Sequence, residues 1–293
     1  MKINEITDMS PGDREKVSQP ELQKFIEMIK TNCGDALRSM DRTQKFLHRG
    51  VGGNPPEIFV SRSREDRRPV DSDEGLTKIY DNFLKQLGFK SLRSNSIFCS
   101  PQYRVAREYG AVFYIFPFDG FNFTWSKNIS DNVLTFNQIH YFLDYNLVHS
   151  YYEKHVVPYL DMISNYLKEH PSQDGFVFDK SFRIPSSFYG TKTRIDHFQK
   201  TIAAMKDKGL PIPDETLKYS DTSNFMTAEA MQKNMQLSNT DFDAALERRN
   251  EIMISGKYYG LNARSDFGID IGRYLGIKTE FVDDFEDQFS DED

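Results

Sequence analysis

The chain has 293 residues, and its 24 Phe and 15 Tyr supply enough apolar area for a substantial core, in one large domain or two small ones. A net charge of −7 makes bulk phosphate binding by counterion release a poor default. Two cysteines, Cys33 and Cys99, exclude a disulfide framework and a cysteine zinc site, residues 1–16 do not read as a signal peptide, and no apolar run reaches the roughly 20 residues of a membrane span, so a soluble protein of a reducing cytoplasm is expected.

Residues 1–18 are polar and read as loosely held. Gln19-Pro20-Glu21 opens a helix, with proline near the first helical position and acid in the first turn. Leu22, Phe25, Ile26 and Ile29 then recur at helical spacing up to Cys33-Gly34. A further helical piece runs through Leu37 and Met40, so residues 1–40 form an N-terminal helical segment. Residues 45–51 are a short apolar run closed by Gly-Gly-Asn-Pro-Pro, which reads as a strand ending in a loop, and Ile58-Phe59-Val60 reads as another strand. Residues 61–75 form a loop in which Arg62, Arg64, Arg67 and Arg68 are partly cancelled by Glu65, Asp66 and Asp71, so a solvated loop is expected.

Residues 76–87 carry Ile79, Tyr80, Phe83, Leu84 and Leu87 on one helical stripe, which Gly88 ends. Residues 96–99 form a strand, and Pro101 opens a short helix that closes at Tyr109-Gly110. Residues 111–116 are a continuous apolar run, expected to be a strand buried on both faces. Residues 117–135 read as a loop around Trp125. Residues 147–167 are helical in pattern, interrupted by Pro158; Phe176-Val177-Phe178 and Phe182-Arg183-Ile184 are strand-like. Residues 196–208 and 227–249 read as helices joined by a proline-rich loop, and residues 252–254 and 258–261 as two strands around a tight turn at Ser255-Gly256-Lys257. Residues 280–293 are acidic with three spaced Phe, a tail expected to stay disordered until it meets a partner, for which a basic surface suits its charge. The fold class expected is α+β, with mixed or antiparallel sheets around a cleft in a domain of residues 41–279 and a long helical insertion at about 136–249.

Three short pieces carry the candidate chemistry: Leu47-His48-Arg49-Gly50, Ser96-Ile97-Phe98-Cys99-Ser100 and Asn250-Glu251-Ile252-Met253-Ile254. Each places a polar residue in or beside an apolar strand, in the order arginine, serine, glutamate. A guanidinium holds pyrophosphate with a planar fork that lysine cannot reproduce. A hydroxyl orients a ribose, and a carboxylate stabilises a developing sugar cation. This order resembles the ADP-ribosyltransferase fold, in the clade whose signature runs arginine, serine strand, catalytic glutamate, and the resemblance spans residues 45–262 on few matched positions. The arginine-rich loop, Arg93-Ser94-Asn95-Ser96 and Tyr109-Gly110 before a buried strand also look like uncharacterised proteins of tailed phages.

The resemblance implies an NAD-dependent ADP-ribosyl transfer to a macromolecular acceptor, a host protein or nucleic acid, in the host cytoplasm. It implies Glu251 and Ser100 as catalytic residues, and Arg49, His48, Ser96 and Arg93 as residues that bind NAD. Two positions depart from the clade. The serine strand reads Phe98-Cys99-Ser100, and Arg249 stands two residues before the glutamate, where protein-modifying members often carry Glu or Gln. The plainer readings are Arg49 as a surface ion-pair partner, Ser100 as a helix N-cap, and Glu251 as the solvated end of a charged helix. In that case the chain is a non-catalytic binding or structural protein that keeps the fold. The six histidines lack metal-ligand spacing, Cys99 reads as a buried inert thiol, and no glycine-rich phosphate loop is present.

Overall fold

Short apolar runs ending in glycine, proline or polar residues become the strands of two antiparallel sheets. The computed structural model describes residues 15–16, 22–67, 74–130, 141–169, 211–219 and 221–277, with residues 202–203, 206–207 and 209. The fold is α+β. The chain divides into two units, Met1–Phe136 with Met235–Asp293, and Asn137–Asn234.

The first unit contains both sheets. The five-stranded sheet runs β1 (Glu15–Lys16), β3 (Ile58–Arg62), β9 (Lys257–Asn262), β5 (Ala111–Pro117), β2 (His48–Val51). The four-stranded sheet runs β4 (Ile97–Cys99), β8 (Ile252–Ser255), β6 (Asn122–Ser126), β7 (Leu237–Ser238). They meet at one bridge, where His48 and Ser100 exchange backbone hydrogen bonds of 2.8 Å each way. The arginine strand and the serine strand therefore form the seam between the sheets.

Strand β5 lies between β2 and β9, and Val112 to Phe116 are all buried. Helices α1 (Leu22–Asn32) and α2 (Gly34–Thr43) share this core, with Phe25 edge-on to Phe116 and to Tyr259 at centroid distances of 6.3 and 5.7 Å. Each such aromatic contributes about 1.5–3 kcal/mol by leaving water. Residues 22–43 are thus part of the sheet core, not a separate N-terminal segment.

Three local expectations are corrected. Residues 252–261 do not make a hairpin: β8 pairs with β4 and β6, while β9 pairs with β3 and β5. The chain changes sheets at Gly256, whose φ of +131° costs glycine little. Residues around Trp125 are strand, not loop, and the buried indole donates to the Thr240 carbonyl at 3.3 Å. Residues 227–249 split into the helix Ala228–Met235, β7 and the helix Phe242–Arg248. The break sits between two left-handed residues, Gln236 and Asp241, and the Asp241 carboxylate caps the second helix by accepting from the Ala244 amide at 3.1 Å. A helix at Asp266–Leu275, unexpected from the sequence, is capped by the Ser265 hydroxyl, which accepts from the Gly268 amide at 3.0 Å.

The second unit ends at Asn234, so residues 235–249 belong to the sheet unit rather than to the insertion. Its core gathers Leu143, Val148, Tyr152, Val156, Tyr219 and Phe225. Helix α5 (Tyr145–Tyr151) is capped by Asp144 and continues through a π-helical segment, Tyr152–Val156, into α6 (Val157–Glu169). Pro158 lacks the amide an α-helix needs, and the widened π-helical segment lies directly before α6. The readings made for residues 1–14, 68–73, 176–178, 182–184 and 280–293 lie outside the described residues.

Candidate functional site

The seam between the sheets opens into a cavity of about 40 Å³ whose lining includes His48, Arg49, Ser100 and Glu251. Three distant pieces of sequence reach it for reasons of register. Arg49 lies on β2, one residue past the bridge to Ser100. Strand β4 is antiparallel to β8 with Cys99 opposite Ile252, so the next step outward sets Ser100 opposite Glu251. The helix α4 (Tyr103–Arg107) supplies Val105 and Ala106 to the wall, with Tyr109 following it. Its approach depends on Gly50, where an added Cβ would stand 2.1 Å from the Ala106 carbonyl oxygen.

The turn carrying Glu251 is held by three hydrogen bonds. Arg249 ends the helix Phe242–Arg248 in a left-handed conformation, φ 61° and ψ 17°. The Gln102 side-chain amide donates to the Arg249 carbonyl at 2.7 Å. The Asn250 side-chain amide donates to the Ser126 carbonyl at 2.8 Å, and the Glu251 backbone amide to the Ser130 carbonyl at 2.9 Å. A carboxylate on so constrained a backbone is pre-organised. Ser100 is buried and its hydroxyl accepts from the Gln102 amide at 3.1 Å, but Gln102 is the N-cap of the helix, so Ser100 braces the turn before the helix and is not the N-cap expected of it.

Electrostatics link further groups to this cavity. Burial pushes the Tyr80 phenol well above its usual range; nearby Arg93 opposes that shift, and Glu251 and Asp81 add to it. Arg93 and Glu251 therefore lie within electrostatic reach of one buried hydroxyl. The Asp81 carboxylate accepts from the Arg93 and Ser94 amides at 2.7 and 3.1 Å and holds this turn. The guanidiniums of Arg93 and Arg67 lie over the Phe98 ring, 4.8 and 4.3 Å from its centroid, and Phe98 lines the cavity. Arg67, expected in a solvated loop, is instead pinned by its amide to the Ser94 carbonyl at 2.8 Å.

Ser96 does not line the cavity. Its side chain is buried and donates to the Asn95 side-chain oxygen at 3.2 Å. Arg93 does not line the cavity either and reaches it only through Phe98. Ser130, which lines the cavity, and Gln102, which holds the Arg249 carbonyl beside it, are residues that the sequence reading missed. Gln102 alone had a visible signal, its place two residues after Ser100 at a helix start.

His48 packs against Tyr114 and Tyr103, with centroid distances of 5.3 and 5.8 Å. It is 2% exposed and its Nδ1 has no hydrogen-bond partner among the described residues. Burial pulls its pKa down to about 4, against the Ser100 and Pro101 carbonyls, which favour the charged form. The ring is therefore neutral near pH 7 and adds no positive charge where a sugar cation would form. The unfolded chain takes up this proton near pH 6.5 and the folded chain only near 4. His48's contribution to stability is thus complete above the unfolded pKa and is lost as pH falls toward the folded one. Between pH 7 and pH 5 the loss is about 2 kcal/mol. His48→Phe should remove this part of the acid sensitivity in urea unfolding, and an unchanged pH slope would contradict the assignment.

Among the described residues no group of three or more His, Cys, Asp or Glu could hold a metal, and no helix is long and apolar enough to cross a membrane. No protein-family model, curated protein or solved structure matches the chain.

Proposed function

We propose that the chain is an NAD-dependent ADP-ribosyltransferase that modifies a macromolecular acceptor. The observation that supports this reading is the meeting of Arg49, Ser100 and Glu251 at one cavity from three strands far apart in sequence. In the reaction the bond between nicotinamide and ribose C1′ breaks, and its electron pair leaves with nicotinamide. Positive charge builds on the ribose, and an acceptor nucleophile closes on C1′ and gives up its proton to solvent water. Glu251 faces the developing charge, which a fixed carboxylate stabilises more in the transition state than in the ground state. Ser100 orients the ribose or the glutamate, Arg49 grips the pyrophosphate, and the free Nδ1 of neutral His48 is a hydrogen-bonding position for the adenosine end. Arg249, two residues before Glu251, is a cation that cannot take a proton from an acceptor. An acceptor other than arginine suits this turn, and a phage protein acting on a host protein or nucleic acid is the setting we infer.

The dinucleotide is larger than the 40 Å³ now open, against the ~300–1,000 Å³ of ordinary ligand pockets. Binding therefore requires the cavity to widen. That smallness also favours a second reading, a non-catalytic binding protein that keeps the arrangement.

Calorimetry with NAD separates the two. Arg49→Ala should weaken binding by roughly 1.5–3 kcal/mol, the scale of a hydrogen bond to a charged group. Arg49→Lys should recover little of it, because a point charge does not replace a bidentate fork. No heat of binding to the wild type at millimolar NAD would favour the second reading.

A further inference from the structure

A second depression lies at the other end of β8. It has a volume of about 490 Å³ and is lined by Arg62, Ser63, Lys90, Phe118, Phe121 and Lys257, among others. It shares no lining residue with the cavity at Glu251. Four residue steps separate Glu251 from Ser255 along the strand, about 13 Å at the usual rise.

Its floor is built by hydrogen bonds. The Ser63 amide donates to the Gly256 carbonyl at 3.0 Å, and the Gly256 amide returns a bond to the Ser63 hydroxyl at 3.0 Å. The Ser91 and Ser255 hydroxyls are 2.8 Å apart beneath it. This fixes the point where the chain changes sheets and sets the charges above it.

Those charges are arranged against their own interest. Arg62 on β3 stands directly opposite Lys257 on β9. Like charges at a cross-strand pair are destabilising. Lys90 adds a third cation to the same wall, and none of the three has an ion pair with a described residue. Of the two acids in the lining, Asp119 accepts from the Asp35 amide at 2.7 Å, at the start of α2. With Glu65 the lining holds two acids against three cations, an excess of one positive charge. Phe118 and Phe121 are partly buried and give the depression an apolar flank, with Lys257 5.5 Å from the Phe118 centroid.

We propose that this depression binds a nucleotide, its phosphate between Arg62, Lys90 and Lys257 and its base against the Phe118–Phe121 flank. A dianionic phosphate would relieve the Arg62–Lys257 repulsion, and Arg62 offers it a planar fork. The volume lies within the ~300–1,000 Å³ range of small-ligand pockets, more than a lone phosphate needs. This site is separate from the NAD reading and stands or falls without it.

The test is titration of the isotopically labelled full chain with adenosine monophosphate, followed by amide NMR. The backbone amides of Gly120 and Gly256 should shift saturably while that of Gly50, in the other cavity, stays put. Adenosine monophosphate should bind roughly tenfold or more tightly than inorganic phosphate or adenosine alone. The double variant Arg62→Gln with Lys257→Gln, both exposed on strands, should weaken binding roughly tenfold or more. No saturable shift at millimolar ligand, shifts confined to Gly50, unchanged affinity in the double variant, or phosphate binding as tightly as the nucleotide would each overturn the assignment.

Discussion

Glu251→Gln is expected to keep NAD binding and to lose roughly 100-fold or more in turnover. The amide has nearly the shape of the carboxylate and keeps hydrogen-bonding capacity, so the backbone contacts around it should survive. Those contacts run through the Arg249 carbonyl, the Asn250 side chain and the Glu251 backbone amide, none of which the change touches. What disappears is the negative charge, and that charge matters most when the ribose turns positive, so rate falls and affinity does not. Glu247→Gln, four residues earlier on the helix Phe242–Arg248, is the matched control and should be nearly silent. Kinetics of nicotinamide release read both. Equal turnover in wild type and Glu251→Gln would reduce Glu251 to a structural residue.

Gly50→Ala should be among the most damaging single methyls in the sheet unit. The new Cβ would meet the Ala106 carbonyl oxygen at 2.1 Å, Tyr109 Cβ at 2.7 Å and the Tyr109 carbonyl carbon at 2.9 Å. Two of these atoms belong to backbone, so no side-chain rotation relieves the clash. The segment after Ser100 must lift away from β2, at the upper end of the overpacking range, about 3 kcal/mol or more. Because Gln102 and Ser100 sit at the start of that segment, the tether to Arg249 is strained as well. Gly52→Ala, two residues on with nothing within 4 Å of its Cβ and no left-handed φ, should be neutral or slightly stabilising. Thermal unfolding of the two variants gives the comparison, and similar midpoints would contradict the close approach.

The strands that build the site were legible because their signals are local. His48–Val51 is closed by glycines and prolines, Ile97–Cys99 ends at Pro101, and Ala111–Pro117 is one apolar run. Register then does the rest, since an arginine, a serine and a glutamate at strand ends converge only if those strands are neighbours. What escaped the sequence is non-local. Ser255-Gly256-Lys257 has the composition of a hairpin turn, yet the strands on either side choose partners in different sheets. Partner choice depends on faces buried elsewhere, which turn residues do not encode. Ser96, expected to bind NAD, donates its hydroxyl to its neighbour Asn95. Arg67 sat in a charged loop with no hint that Phe98 would lie beneath it. The break at 236–241 did have a signal, the Ser-Asn-Thr-Asp run that favours a cap, which the helical periodicity on either side outweighed.

The most direct measurement is incubation of the purified full chain with NAD labelled in its adenylate half, alone and with host lysate, following nicotinamide release and label on macromolecules together. Nicotinamide release by the wild type, label transferred to a macromolecule, and loss of both in Glu251→Gln are the expected results. Absence of nicotinamide release under every condition, with the protein folded and NAD in millimolar excess, would contradict an NAD-cleaving function and leave the Arg49–Ser100–Glu251 cavity as a binding or structural feature.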